Sequence, residues 1–162
     1  MAVENKFFDS NLEAGTLADG AAFSGNSKHM IVEGSIAAAD DNGSIYGLAV
    51  VNSSDIIFDI TISNSAITGG TDYDIGLYNL NDDGSIGSAA DADAYLDGAS
   101  LASAATKTDG IADLAIANRN ATVSVVAGES TVSGKNYVLA LTGNTVGTAA
   151  GTVVANITTI TQ

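Results

Sequence analysis

The chain has 162 residues with no Cys, Pro or Trp, and 19 acidic residues against five Lys and Arg give a net charge of −14. This length suits one domain that buries roughly 70% of its unfolded surface without disulfides or a structural metal. The absence of Cys excludes thiol catalysis and thiolate metal sites. The few scattered cations argue against nucleic acid or an anionic membrane as a partner. No apolar run approaches the roughly 20 residues of a membrane span, and MAVENKFFDS has no features of a secretory signal.

The first 27 residues show no periodic pattern. Phe7, Phe8 and Leu12 are spread through a background of small and polar residues. Two interpretations remain open: a segment that packs on its own domain, or an arm whose apolar side chains dock on a neighbouring subunit. We divide the chain into an N-terminal arm, residues 1–27, and one domain, residues 28–162.

Three strands are predicted in the first half of this domain. Residues 28–33 (KHMIVE) form the first, with His29, Ile31 and Glu33 on one face. A DDNG turn leads into residues 44–51, which are apolar on both faces and typical of a central strand. Residues 55–63 (DIIFDITIS) are the clearest strand. Their alternation predicts four inward side chains, those of Ile56, Phe58, Ile60 and Ile62.

Two further segments share one strand pattern, DYDIGLY at 72–78 and NYVLALT at 136–142. Apolar residues alternate with polar or small residues in both, which is typical of strands with one buried face. The predicted core side chains are Tyr73, Ile75, Leu77, Tyr137, Leu139 and Leu141. We expect the two strands to lie in opposite parts of one core, with Asp72 and Asp74 facing water.

The rest of the chain is less regular. A second Asp-Gly turn lies near residue 84, and residues 109–118 (DGIADLAIAN) are the one helix candidate, with Asp109 as its cap. Residues 121–126 and 152–161 are predicted strands, the first with Val123 and Val125 inward. About seven or eight short strands predict an all-β fold, a β-sandwich or jelly-roll with one short helix and an extended N-terminal arm.

No catalytic site is predicted. His29 is the only imidazole, and the sequence has no nucleophile-elbow motif to accompany it. Asp72 and Asp74 form a carboxylate pair of the kind that hydrolyses glycosides, but they share the solvent face of their strand. We therefore expect His29 to be an ordinary surface or interface residue, and the protein not to be an enzyme.

Calcium is the one cofactor with any sequence signal. Asn79, Asn81, Asp83 and Gly84 match the opening of a calcium loop, but Ala90 stands where the bidentate acid belongs. Asp93 lies in a second oxygen-rich run. Asp-Gly turns also produce such clusters without a metal. Asp83 and Asp93 remain weak candidates, and otherwise no cofactor is expected.

Four segments carry a resemblance to a known family: TGGTDYDIGLY, DADAYLDG, DLAIANRN and, most specifically, LTGNTVGTAAGT. Over about residues 66–160 the chain resembles small head decoration or capsid-accessory proteins of tailed bacteriophages, whose genes typically lie beside that of the major capsid protein. The resemblance implies a structural virion protein on the outer capsid surface, with no catalytic residues. The implied partners are the major capsid protein and further copies of the chain, most often as a trimer. Under this hypothesis Phe7, Phe8 and Leu12 are the contact residues of the arm.

Two other functions remain open. One is a sandwich that binds carbohydrate or a host surface, for which Tyr46, Tyr78 and Tyr95 are the candidate stacking residues. The other is a structural protein of the tail or fibre, which sequence alone does not separate from a head protein.

Overall fold

The computed structural model describes residue 3, residues 5–7 and residues 27–161. Two sheets face each other, one of five strands in the order β1-β3-β8-β5-β6 and one of four in the order β2-β9-β4-β7. The strands are β1 (Asn5–Phe7), β2 (Ser27–Ile36), β3 (Ser44–Asn52), β4 (Asp55–Asn64), β5 (Asp72–Leu80), β6 (Ile86–Ala99), β7 (Ala105–Asp109), β8 (Asn136–Thr145) and β9 (Gly151–Thr161). All described pairings are antiparallel except that of β1 with β3. The predicted β-sandwich is confirmed.

The two strands with matching patterns are neighbours in one sheet. β5 pairs with β8, with Ile75 opposite Leu141 and Leu77 opposite Leu139. The expectation that they lie in opposite parts of the core was wrong. Alternation shows which face of a strand is buried, but it carries no information on which strand lies next to it.

One large apolar cluster fills the space between the sheets. It contains the six side chains predicted for β5 and β8, all buried, together with Ile60 and Ile62 of β4 and Val153, Ala155 and Ile157 of β9. A smaller cluster centred on Tyr78, Val138 and Ala140 lies apart from it. These three residues alternate with core residues along β5 and β8, so both faces of the five-stranded sheet carry buried apolar side chains.

The segment between β7 and β8 differs from the prediction. Residues 109–118 contain turns and a 3-10 helix at Ile116–Asn118 instead of an α-helix. The backbone N–H of Gly110 donates to the carbonyl of Ile60, and that of Asp113 to the carbonyl of Tyr95. These donors are therefore bonded to other strands and not to the carbonyls four residues back that an α-helix requires.

The strand predicted at residues 121–126 was also wrong. Val123–Val126 is one turn of α-helix, α1, with Val123 buried and Val125 exposed. The N–H of Ser124 donates to the carbonyl of Ser53, in the turn between β3 and β4, which fixes α1 at that end of the sandwich. Tertiary contacts thus override the β-propensity of three valines.

The N-terminal residues of the described chain extend the five-stranded sheet. Asn5, Lys6 and Phe7 lie opposite Ile45, Tyr46 and Gly47 in parallel register. Phe7 therefore belongs, by its backbone, to a strand of its own domain. Phe8 and Leu12 lie outside the described residues, and the division into an arm of residues 1–27 and a domain of residues 28–162 stays a prediction.

Candidate functional site

The outer face of the four-stranded sheet presents two large apolar side chains to solvent. Ile31 on β2 is 68% exposed and Phe58 on β4 is 58% exposed. Between them β9 presents partly exposed side chains, because alternate residues of that strand point away from the core. We call this surface the outer face, formed by His29, Ile31, Glu33, Phe58, Asp59, Thr61, Ser63, Val154, Asn156, Thr158 and Ile160.

Phe58 was predicted to face the core, and this was wrong. The pairing of β4 with β9 shifts between Ile57 and Asp59, so Phe58 is the additional residue of a β-bulge without a partner on β9. Ile57 is buried and Phe58 is exposed. A bulge changes which residues of a strand point inward, and the sequence DIIFDITIS gives no sign of one.

His29 lies on the outer face, as its alternation with Ile31 and Glu33 predicts. Its Nδ1 lies 3.0 Å from Oγ1 of Thr158, directly across the strand pair. Within residues 27–161 no carboxylate is hydrogen-bonded to the imidazole, so the orienting acid of a Ser-His-Asp arrangement is not seen there.

Asp74 was expected to face water beside Asp72, but it is buried. Its Oδ1 accepts a 2.8 Å hydrogen bond from the N–H of Gly98, and its Oδ2 accepts one from the side-chain amide of Asn144. The same amide also reaches Oδ1 of Asp72. Asp74 therefore holds β6 and β8 on either side of β5, which is a structural role.

Several carboxylates gather near Asp74 on the β5–β6 side. The negative charge of Asp74 is the main cause that raises the pKa of Asp97, followed by burial and the charges of Asp93, Asp113 and Asp72. Burial is the main cause that raises the pKa of Asp91, followed by its hydrogen bond with Asp93. This edge of the sandwich thus carries concentrated negative charge.

The weak calcium candidates lie in different surroundings. Asp83, in the turn between β5 and β6, accepts hydrogen bonds from the N–H of Ser85 at 2.9 Å and from its hydroxyl at 2.6 Å. These bonds lower the pKa of Asp83, and they form the Asp turn that its sequence predicts. Asp93 lies in the middle of β6. Among the residues that the structure describes, no group of three or more His, Asp or Glu is arranged to hold a metal ion.

The three tyrosines considered for sugar stacking are buried. Tyr46, Tyr78 and Tyr95 are each at most 4% exposed. The hydroxyl of Tyr46 donates to Asp40, and that of Tyr78 is 2.6 Å from Oγ1 of Thr142. Their rings are therefore not available to a glycan, and this support for a carbohydrate-binding module is lost.

Comparison with solved structures shows the same fold in two phage capsids. A chain of the capsid of Ralstonia phage GP4 superposes with a TM-score of 0.66 at 10% identity, covering 93% of this chain and 94% of that one. A chain of the cyanophage Pam1 capsid asymmetric unit superposes with a TM-score of 0.51 at 18% identity, covering 90% and 92%. This protein has the fold of those capsid chains. Because the coverage is high on both sides, the proteins are also of nearly equal length.

The likeness is one of structure and not of sequence. No protein-family model and no curated protein sequence matches the chain. In the described part of the chain, none of the helices has the length and hydrophobicity needed to cross a bilayer.

Proposed function

We propose that the protein is a structural component of a tailed-phage virion, a decoration protein that binds the outer surface of the capsid and stabilises it. Its partner would be the major capsid protein, and it would act without catalysis. The observation that carries this proposal is the fold. It matches chains of two phage capsids over 93% and 90% of this chain.

Two properties of the chain support a place on the outside of a particle. The net charge of −14 keeps a protein soluble and limits its non-specific contacts with DNA inside a head. The outer face also presents Ile31 and Phe58 to solvent, and exposed aromatic and aliphatic groups in a polar surround are typical of protein–protein contact sites.

The N-terminal residues are the expected contact segment of the protein. We propose that residues 1–27 reach the capsid or a neighbouring subunit through Phe7, Phe8 and Leu12, and that the protein assembles as a trimer over capsid symmetry axes. The short strand β1 anchors the beginning of this segment to β3. The rest of the segment would then extend towards its partner from a strand that is fixed to the sandwich.

Location on the particle is the direct test. Particles made with the gene intact and particles made with the gene deleted would be compared by cryo-EM. The proposal expects additional density with the shape of this sandwich on the outer surface of the head, and its loss in the deletion. Density on the tail or fibre would support the other structural role, and density on neither would contradict a virion role.

A second experiment tests the arm. Purified protein would be added to heads made with the gene deleted, and binding would be followed by co-sedimentation. Deletion of residues 2–20 should abolish binding while circular dichroism shows a folded sandwich. The Phe8→Ala, Leu12→Ala double variant is the finer probe because it leaves β1 in place. Retained binding in both variants would defeat the role of the arm without affecting the proposed location.

A further inference from the structure

β2 is an unusual sheet edge in this molecule. It pairs with β9 over ten consecutive residues without a shift, and no described strand pairs with its other side. The other edges are protected: β6 has four register shifts against β5 and carries Asp91, Asp93 and Asp97, while β7 has five residues and β1 has three. Long regular edges without a bulge are the ones that accept a further strand.

The side chains of β2 are complementary to themselves. In an antiparallel pair of two β2 strands with Ile31 opposite Ile31, residue 29 of each copy lies opposite residue 33 of the other. His29 then lies opposite Glu33 twice, and Ile31, exposed in a single molecule, is covered by its own copy. Lys28 lies opposite Gly34, so no like charges face each other within the strand pair.

The faces of the sandwich restrict the possible registers. His29, Ile31 and Glu33 all lie on the outer face, and a shift by one residue would place the outer face of one molecule level with the core side of the other. Shifts by two residues keep the faces aligned but place Ile31 opposite His29 or Glu33. Of the three registers closest to the centre of the exposed residues, only the one centred on Ile31 pairs His29 with Glu33.

We propose that two copies of the chain associate in solution through their β2 edges, about a twofold axis at Ile31, to form one continuous eight-stranded sheet. Such a contact is isologous, with the same surface used by both partners. It does not depend on the proposed capsid role. In a trimer held by other surfaces, each subunit would keep a free β2 edge, and the contact would join subunits of neighbouring trimers.

Cysteine cross-linking tests the register. The chain has no cysteine of its own, so any disulfide reports an introduced pair. Opposite residues of antiparallel strands have Cα atoms roughly 4.5–5.5 Å apart, within the range for a disulfide. Ile31→Cys should therefore form a covalent dimer under mild oxidation. Glu33→Cys is the matched control on the same face, and alone it should not, because two copies of residue 33 lie four positions out of register.

Mixing two variants gives a further check. His29→Cys and Glu33→Cys should each remain monomeric on a non-reducing gel, whereas their mixture should form a mixed disulfide. The proposal is supported if Ile31→Cys and the mixture form covalent dimers while His29→Cys and Glu33→Cys do not form them separately. Failure of Ile31→Cys to cross-link, or equal cross-linking of Glu33→Cys alone, would overturn it.

Charge reversal tests the energetics. Sedimentation equilibrium of the unmodified chain should show a monomer–dimer equilibrium. We expect Glu33→Lys to raise the dissociation constant on the order of tenfold, because both symmetry-related pairs lose an acceptor and gain a cation facing the imidazole. Adding His29→Glu to Glu33→Lys should restore dimerisation. A chain that is monomeric at all concentrations, or a double variant as weak as the single one, would contradict the proposed pairing.

Discussion

The phenol O–H of Tyr46 donates a 2.9 Å hydrogen bond to Oδ2 of Asp40, and both side chains are buried. The N–H of Ala37 donates to the same carboxylate oxygen at 3.0 Å. Asp40 lies between β2 and β3, where the chain crosses from the four-stranded to the five-stranded sheet. Burial, followed by the contact with Asp40, raises the pKa of Tyr46.

Removing this hydroxyl should destabilise the protein. Tyr46→Phe leaves a buried carboxylate with one donor fewer, and we expect the free energy of unfolding to fall by about 1–3 kcal/mol. Tyr73→Phe is the matched control, because Tyr73 is also buried but donates to the neutral carbonyl of Val146 at 2.8 Å. Tyr73→Phe should lower the free energy of unfolding by about 1 kcal/mol, the usual value of a neutral hydrogen bond. Urea denaturation measures both, and a larger loss in the control would contradict the role of Asp40.

Gly76 on β5 is expected to tolerate no side chain. A Cβ at this position would lie 2.2 Å from the backbone of Asp91 and Ala92 on β6. Gly76→Ala should therefore separate β5 from β6 and reduce the unfolding free energy by about 3 kcal/mol, the upper end of the usual cost of overpacking.

Gly84→Ala is the control for that substitution. Gly84 has a φ of +83° and no atom within 4 Å of its Cβ position, so its cost is strain alone, roughly 1–2 kcal/mol. Denaturation curves of the two variants, recorded together, separate collision from strain. Equal losses would show that β6 yields to the additional methyl group.

The pKa of Asp97 should depend on Asp74 more than on Asp72. Asp74→Asn removes the charge that contributes most to raising it, so the pKa of Asp97 should move towards its usual value of 3.8. Asp72→Asn removes the charge that contributes least among the four neighbouring carboxylates, so it should change the pKa of Asp97 less. Carbon-detected NMR titration measures both, and the opposite ranking would contradict the charge arrangement.

The same raised pKa gives a pH dependence of stability. A carboxyl group that binds its proton more readily in the folded state destabilises the fold when it is charged, so this penalty disappears as the pH falls through its raised pKa. Asp97→Asn should therefore stabilise the protein at neutral pH, with a gain that shrinks as the pH falls towards 3.8, the ordinary pKa of the carboxyl group. Thermal melts across this range provide the measurement. A gain that grows as the pH falls would contradict the sign.

Glu129 should act in the opposite sense. The hydrogen bond from Lys135, at 2.7 Å, is the main cause that lowers the pKa of Glu129 to about 2, followed by the hydroxyl of Ser133. Its stabilising contribution is complete above the ordinary pKa of 4.5 and is lost as the pH falls through about 2. The difference in melting temperature between the natural chain and Glu129→Gln should therefore shrink between these two values.

A second variant tests the cause of that shift. Lys135→Met should bring the pKa of Glu129 back towards 4.5, while Ser133→Ala should move it less. If neither substitution changes the NMR titration of Glu129, the ion pair does not exist in solution.

The sandwich and the burial of the β5 and β8 core residues follow from alternation, which directly reports one buried face. Features that depend on contacts with other parts of the chain do not follow from alternation. Phe58 faces outward because of a bulge, and α1 forms where Ser124 meets the carbonyl of Ser53. Asp74 is buried because Gly98 and Asn144 satisfy its oxygens, and neither partner is near it in sequence.

The candidate site was predictable only in part. The alternation of His29, Ile31 and Glu33 places them on one exposed face, and this is what the structure has. That β2 lies at the edge of its sheet depends on strand order, which local sequence does not encode. Tyr78 alternates with the core residues of β5, which places its ring on the other face of the sheet, and the smaller apolar cluster buries that ring.

β8 and β9 are the last two strands in chain order, yet each lies in the interior of its sheet, β8 between β3 and β5 and β9 between β2 and β4. During synthesis, β3, β5, β2 and β4 therefore leave the ribosome before the strands that join them. Neither sheet can close until residues 136–161 are available, so the sandwich should fold slowly and only after β9 has been made, as expected for contacts between distant parts of a chain. A nascent chain that stops before β8 should bind chaperones strongly, because β2, β3, β4 and β5 then lack the strands that join them into two sheets.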